Sequence, residues 1–212
     1  MLRVADFYLQ GKGVKKDEAR GKALLLQAAQ AGSSQAQFRV ALMLLSGEKP
    51  DVGAGYLHLL AAANGNLLIA QNELGLFYLS GQLGVADPAA AVSWLTRAAK
   101  AGSAAAQNNL AALYESGSAG LGRDLKNAGE LYTLAAKQGH PQATLALARL
   151  YTGGAGVNAD LPRAWALTSL VAGNGDETAA TMAKQIDQKL SDEQRKEAKK
   201  LLKEFGSKPS VK

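Results

Sequence analysis

Along residues 72–85, NELGLFYLSGQLGV, apolar Leu74, Phe77 and Tyr78 fall at i, i+3 and i+4. That is the spacing of one helix face. Yet Gly75 sits inside the run, and Gly81 and Gly84 cut it short. A glycine inside a helix costs about 1 kcal/mol relative to alanine, so this one needs a packing reason. The rest of the chain supplies it, because the pattern recurs. A small residue stands at Ala5, Ala41, Gly75, Ala111 and Ala148. Three positions on come Tyr8, Leu44, Tyr78, Tyr114 and Tyr151, and three further on Gly11, Gly47, Gly81, Gly117 and Gly154. Successive intervals at the tyrosine position are 36, 34, 36 and 37 residues. A site that takes only glycine or alanine in five units is one where two helix backbones cross closely.

Each unit has a second half at matching spacing. AAQAG ends at Gly32, AAANG at Gly65, AAKAG at Gly102, AAKQG at Gly139 and VAGNG at Gly175, with small residues eleven positions earlier at Gly21, Ala54, Ala91, Ala128 and Ala164. The expected unit is a helix, a glycine-containing loop, a second helix and a short turn. Glycine after a helix supplies the left-handed conformation that other residues adopt only with strain. Asp17, Asp87, Asp124 and Asp160 stand where second helices begin, as capping and the helix dipole favour. Pro88, directly after Asp87, suits the first helical position, where its missing N–H is no loss.

After the fifth unit, ETAATMAKQIDQKL begins another first helix without the tyrosine and glycine. SDEQ then has the spacing of a capping box, Ser191 with Gln194, and Ala198, Leu201, Leu202 and Phe205 form one apolar stripe opposite lysine, arginine and glutamate. Such a helix closes a repeat core while keeping it in water; lying on an anionic membrane is an alternative use.

Composition narrows the rest. Aromatics are only 6% of the chain and cysteine is absent. The first suits closely packed helices better than a sheet; the second excludes disulfides, thiolate metal sites and a cysteine nucleophile. Of the net charge of +6, four charges come from residue 189 onward, with eight basic against four acidic residues. Charge gathered on one terminal helix is a solvated face, not the groove-following stripe interleaved with aromatics that a nucleic acid requires. No apolar run nears the roughly 20 residues of a membrane span, and MLRVADFYLQGKG lacks a basic region followed by an apolar one. His58 and His140 lie in different units with no histidine three or four positions away, so no metal or cofactor site is expected. GSAGLG and GGAG lack the Lys-Ser/Thr of a phosphate loop, and no G-x-S-x-G elbow occurs. No enzyme activity is expected.

The pattern as it stands in residues 70–102, AQNELGLFYLSGQLGVADPAAAVSWLTRAAKAG, resembles the Sel1-like repeat, a relative of the tetratricopeptide helix pair. The resemblance covers residues 2–176 and departs in SGEKPDVGAG, which lacks the second loop glycine and its valine. The cysteines that bridge each unit in one bacterial branch of the family are missing too. The first unit starts part-way along its helix, at Leu2. The resemblance implies an all-α fold, a right-handed α-solenoid of about five helix-turn-helix repeats. Their expected bounds are 2–33 (partial), 34–66, 67–103, 104–140 and 141–176, followed by capping helices over 177–205 and a disordered tail over 206–212.

It also implies a function. First helices of such repeats line a concave groove at positions two before, two after and five after the packed leucine or valine. In this chain those are Phe38, Leu42 and Leu45; Asn72, Leu76 and Leu79; Asn108, Ala112 and Glu115; and Leu145, Arg149 and Thr152. The groove is expected to be apolar near Phe38, Leu42, Leu76 and Leu79 and polar near Asn108, Glu115 and Arg149. Family members act as bacterial adaptors, often outside the cytoplasm. The expectation is therefore a non-catalytic scaffold holding a protein or peptide partner, in the periplasm or otherwise outside the cytoplasm. An inhibitor or immunity protein for one secreted enzyme is the alternative. A glycan or peptidoglycan binder would want aromatic platforms in the groove, where only Phe38 qualifies; Trp94 and Trp165 fall on second helices.

Overall fold

The computed structural model describes residues 1–46, 48–82 and 84–207, the side chain of Ser207 excepted; Gly47 of the repeat pattern and residues 208–212 of the expected tail lie outside them. The described residues form twelve α-helices. In one compact unit, Met1–Ala101, α1 (Leu2–Gln10) pairs with α2 (Glu18–Gln30), α3 (Ser34–Leu45) with α4 (Val52–Asn64), and α5 (Leu68–Ser80) with α6 (Pro88–Lys100). The second unit, from Gly102 onward, pairs α7 (Ala104–Ser116) with α8 (Leu125–Lys137) and α9 (Pro141–Gly153) with α10 (Leu161–Ala172), and ends with α11 (Glu177–Asp187) and α12 (Asp192–Ser207). Within each unit the pairs stack like a solenoid, second helix against the next first helix: α2 on α3, α4 on α5, α8 on α9.

The pairs are joined by one repeated device. The backbone N–H of the aspartate that opens each second helix donates to the carbonyl of the tyrosine-position residue: Asp17 to Tyr8, Asp51 to Leu44, Asp87 to Tyr78, Asp124 to Tyr114 and Asp160 to Tyr151, at 2.9–3.0 Å. Each aspartate side chain meanwhile accepts from the N–H three residues on, satisfying a donor the helix leaves orphaned. Asp51 is thus a fifth cap, hidden in sequence by the shortened loop before it.

The small position is where the pairs close. Ala5, Ala41, Gly75, Ala111 and Ala148 are all buried. A Cβ on Gly75 would stand 2.7 Å from Leu95 Cγ of α6 and 3.2 Å from the Ala91 carbonyl oxygen, so glycine there lets α5 and α6 approach. In the second repeat the register runs one residue later than the expected Ala54 and Gly65. The buried set is Gly55, Leu59, Ala62 and Ala63, matching Gly21, Leu25, Ala28 and Ala29 of α2. Gly65 has φ −75°, and Asn66 takes the left-handed turn at φ 61°, a conformation asparagine tolerates better than most residues. Its Oδ1 accepts from Arg97 Nη2 at 2.6 Å.

A glutamine four residues before the small position ties neighbouring pairs. Gln37 Nε2 donates to the Ala29 carbonyl and Gln71 Nε2 to the Ala63 carbonyl. The outward Oε1 is satisfied differently each time: by His58 Nδ1 for Gln37, and by Gln138 Nε2 for Gln107. The matching positions in the third repeat are Trp94 and Ala101, and among the described residues Gln71 Oε1 is buried without a hydrogen-bond partner. Ala101→Gln, which places the donor where Gln138 sits in the next repeat, is expected to stabilise the chain by about 1 kcal/mol. Chemical denaturation of the two proteins checks it.

α9 is capped by histidine. His140 Nδ1 accepts from the Ala143 N–H at 3.3 Å, where α3 and α7 use Ser33 and Ser103. Burial lowers the His140 pKa from its ordinary 6.5, and only the neutral ring can accept here. The unfolded chain therefore gains this proton more readily than the folded one. The cap's contribution is complete above about pH 6.5 and is lost as pH falls through the folded pKa. Between about pH 7.5 and 5.5 the melting temperature of wild type is expected to fall further than that of His140→Ser, whose hydroxyl caps at either pH.

At the C-terminal end, Ser191 and Gln194 form the reciprocal box: Gln194 N–H donates to Ser191 Oγ at 3.2 Å and Ser191 N–H to Gln194 Oε1 at 3.0 Å. α12 packs along α10, burying Ala198 and half-burying Leu201, Leu202 and Phe205. The apolar stripe therefore faces protein, which removes the membrane-surface alternative. Arg195 pins the turn before it, reaching the Asp187 carboxylate at 3.2 Å and the Asp187 carbonyl at 2.9 Å.

Candidate functional site

The three expected positions on each first helix do not share one environment. The middle one is open in both units. Leu42 is 45% and Leu76 37% exposed, and Ala112 and Arg149 are exposed at the same register. The flanking positions are largely packed. Phe38, Leu45 and Leu79 are half-buried, as are Asn108, Glu115, Leu145 and Thr152. Asn72 departs furthest. It is only 4% exposed and its Nδ2 donates to Glu73 Oε1 at 3.2 Å, so it belongs to the wall of the helix pair rather than to an open surface.

In the first unit, Phe38 and Leu45 pack on the cluster that holds Leu59, Leu74 and Phe77. Leu45 closes over a glycine: a Cβ on Gly55 would meet its Cγ at 2.6 Å. What stays outside is a pair of leucines, Leu42 and Leu76, on half-buried apolar walls. One turn before Leu42, Arg39 pairs with Asp6 of α1; one turn before Leu76 stands Glu73. An apolar centre with a charged rim is the arrangement common to protein-binding surfaces. The ion pair was not foreseen, because Asp6 occupies the leucine register of the first repeat.

In the second unit the same row is polar and wired from behind. At the position where the first three second helices carry Leu25, Leu59 and Leu95, α8 carries Tyr132. This phenol is 3% exposed, and its hydroxyl donates to Glu115 Oε2 at 2.7 Å. Burial first, then the bond to the Glu115 carboxylate, raise the Tyr132 pKa far above its ordinary value. Arg149 Nη2 approaches the same Oε2 at 3.6 Å with its side chain 59% exposed. Glu115 is therefore a buttressed anion and Arg149 an exposed cation held only loosely. Tyr132 was missed in sequence because it sits on a second helix, although lining up the second helices would have exposed the leucine-to-tyrosine change.

Nothing in these rows assembles a reactive group. Among the described residues no three histidines, cysteines or acids gather as a metal site would need. No helix among them is long and apolar enough to cross a membrane. His58 is held by Gln37: since Gln37 Nε2 is spent on Ala29, Oε1 faces the ring and Nδ1 carries the hydrogen.

Known proteins agree with this architecture. The Sel1 repeat model matches five times, over residues 1–33, 34–67, 68–103, 104–140 and 141–176. No curated protein matches the chain. Among solved structures, a Sel1 repeat protein from Oxalobacter formigenes is 27% identical with a TM-score of 0.77, covering 92% of this chain and 86% of its own. The protein c5321, described as a protective antigen present in uropathogenic Escherichia coli strains and displaying an SLR fold, is also 27% identical, with a TM-score of 0.59. That match covers 96% of this chain, which spans about half (52%) of c5321. With five helix pairs at the expected spacing, their small-residue crossings in place and the family model matching from residue 1 to 176, the chain belongs to the Sel1 repeat family.

Proposed function

We propose that this Sel1 repeat protein is a non-catalytic interaction scaffold that binds a protein or extended peptide along the exposed face of its first helices. The observation that carries the reading is the exposure of Leu42 and Leu76 at one register on successive first helices, where every other apolar side chain of the same two helices except Ile69 is buried or half-buried. Phe38, Leu45 and Leu79 wall these anchors. The Asp6–Arg39 pair and Glu73 rim them; the second unit presents a polar face of its own at Asn108, Glu115 and Arg149. Covering what remains exposed of the two leucines, less than half of each, supplies roughly 1 kcal/mol apiece. Such anchors set affinity, while the charged rim sets specificity and approach.

A glycan reading is weaker, since Phe38 is the one aromatic in these rows and is itself half-buried. We place the protein outside the cytoplasm of a bacterium; its likeness to c5321, described as a protective antigen present in uropathogenic Escherichia coli strains, supports that placement. Fractionation of the source cell tests it, and recovery with cytoplasmic markers would refute it.

The binding test is affinity capture from source-cell extracts with wild type and a Leu42→Glu, Leu76→Glu double variant. Both leucines are exposed, so the variant's stability is expected to stay within about 1 kcal/mol of wild type. One stoichiometric polypeptide lost with the variant indicates the inhibitor form of the reading; several weaker ones indicate an adaptor. Identical retention by both proteins removes the leucine pair as the site.

A further inference from the structure

α3 and α5 carry one charged side chain each, Arg39 and Glu73. Both stand two residues before the small position of their helix, and they differ in sign. Arg39 already has its counter-ion in Asp6 of α1. Glu73 has none: among the described residues no lysine, arginine or histidine pairs with it. Its Oε1 accepts from Asn72 Nδ2 at 3.2 Å, and Asn72 is itself buried. The carboxylate is therefore steadied by a neutral donor that leaves its charge unbalanced.

The Asp6–Arg39 pair also shows which positions of neighbouring first helices meet. Asp6 stands one residue after the small position of α1, and Arg39 two before that of α3. By the same register on α3 and α5, the residues that meet are Leu42 and Glu73. Leu76 follows Glu73 by three residues on the same helix face. Glu73 thus adjoins both exposed leucines, Leu42 across the helix boundary and Leu76 one turn on.

A partner that covers Leu42 and Leu76 cannot avoid Glu73. Taking water from a carboxylate without bringing a counter-charge offsets much of what the leucines supply. An acidic group placed there adds repulsion. A lysine or arginine restores the balance through a charge-assisted hydrogen bond, the stronger kind. Arg39 makes no matching demand for an acid, because Asp6 already answers it.

We infer that the leucine pair selects a cationic partner: a protein segment that sets a lysine or arginine between two apolar side chains. The cation sits on Glu73 and the apolar groups on Leu42 and Leu76. The inference rests on the proposed function, whose surface it shares, and goes beyond it in fixing the sign of the partner's charge.

Three pools of short synthetic peptides serve as the probe. Each peptide carries two leucines flanking one central residue, at varied alanine and serine spacing. The central residue is lysine or arginine in the first pool, glutamate in the second and glutamine in the third. Retention is measured on the immobilised whole chain as wild type, Glu73→Lys, Glu73→Gln and a Leu42→Ser, Leu76→Ser double variant, which adds no charge of its own. Circular dichroism first establishes that each keeps the helix content of wild type. Wild type is expected to hold the basic pool about tenfold better than the acidic one, with the ratio shrinking as salt is raised. Glu73→Lys should reverse the order and Glu73→Gln should level it. Leucine-dependent retention that is indifferent to sign, or an order unchanged by Glu73→Lys, overturns the inference and leaves the leucine surface standing. Retention that survives in the leucine double variant, or no retention of any pool, removes the leucine surface and the inference with it.

Discussion

Replacing Gly75 by leucine is expected to destabilise the protein by about 3 kcal/mol, the upper range for forcing extra methylenes into a packed core. The first added carbon already falls 2.7 Å from Leu95 Cγ and 2.9 Å from Leu95 Cδ2, with the Ala91 carbonyl oxygen behind at 3.2 Å. Leu95 is wholly buried, so it has nowhere to turn, and the helix pair must part. Gly75→Ala is the instructive control. It regains about 1 kcal/mol of helix propensity, and alanine at this site faces a leucine in the second repeat, where Ala41 and Leu59 share a cluster. Its Cβ still meets Leu95 at 2.7 Å and the Ala91 carbonyl oxygen at 3.2 Å, which outweighs that gain, so a net loss smaller than that of leucine, about 1 kcal/mol, is expected. Leu95→Ala alone is expected to cost about 2–5 kcal/mol as a cavity. Combined with Gly75→Leu it should cost less than the sum of the two, because each change fills what the other empties. Denaturant midpoints of the four proteins by circular dichroism test this; strict additivity would mean that α5 and α6 do not meet at Gly75.

Removing the acceptor of the Tyr132 hydroxyl is expected to hurt more than removing the hydroxyl's partner and the hydroxyl together. Glu115→Leu leaves a buried phenol without a partner, at a cost of about 1–3 kcal/mol. Tyr132→Leu gives up a hydrogen bond to a carboxylate, about 1.5–3 kcal/mol by the same reasoning, and the packing of the ring besides. The double change Glu115→Leu, Tyr132→Leu rebuilds the leucine pair that the third repeat holds at Leu79 and Leu95. It should recover much of either loss. A double variant as unstable as the summed single changes would show that Glu115 and Tyr132 act independently, contrary to their 2.7 Å contact.

How much of this was legible in sequence follows from the length scale of each feature. The five-fold register, the buried small positions, four of the aspartate caps and the Ser191–Gln194 box rest on neighbours within one or two helical turns, and residue identity is enough to read them. The register of α4 was not legible. ANGN offers two residues able to take a left-handed turn, and which one does so is decided by seating Gly55, not Ala54, beneath Leu45. The candidate surface was legible only in part. Residue type marked the first-helix rows and their change from leucine to asparagine, glutamate and arginine. It could not separate Leu42, which faces water, from Asn72, which does not.

The sequence by itself determined the all-α repeat, its helix ends and the absence of thiol chemistry, because period, caps and composition are local properties of the chain. Only the tertiary structure decided which side chains remain outside. Exposure depends on the neighbouring helix, and that helix comes from elsewhere in the chain: α4 turns Leu45 into packing, and α8 sends Tyr132 to Glu115.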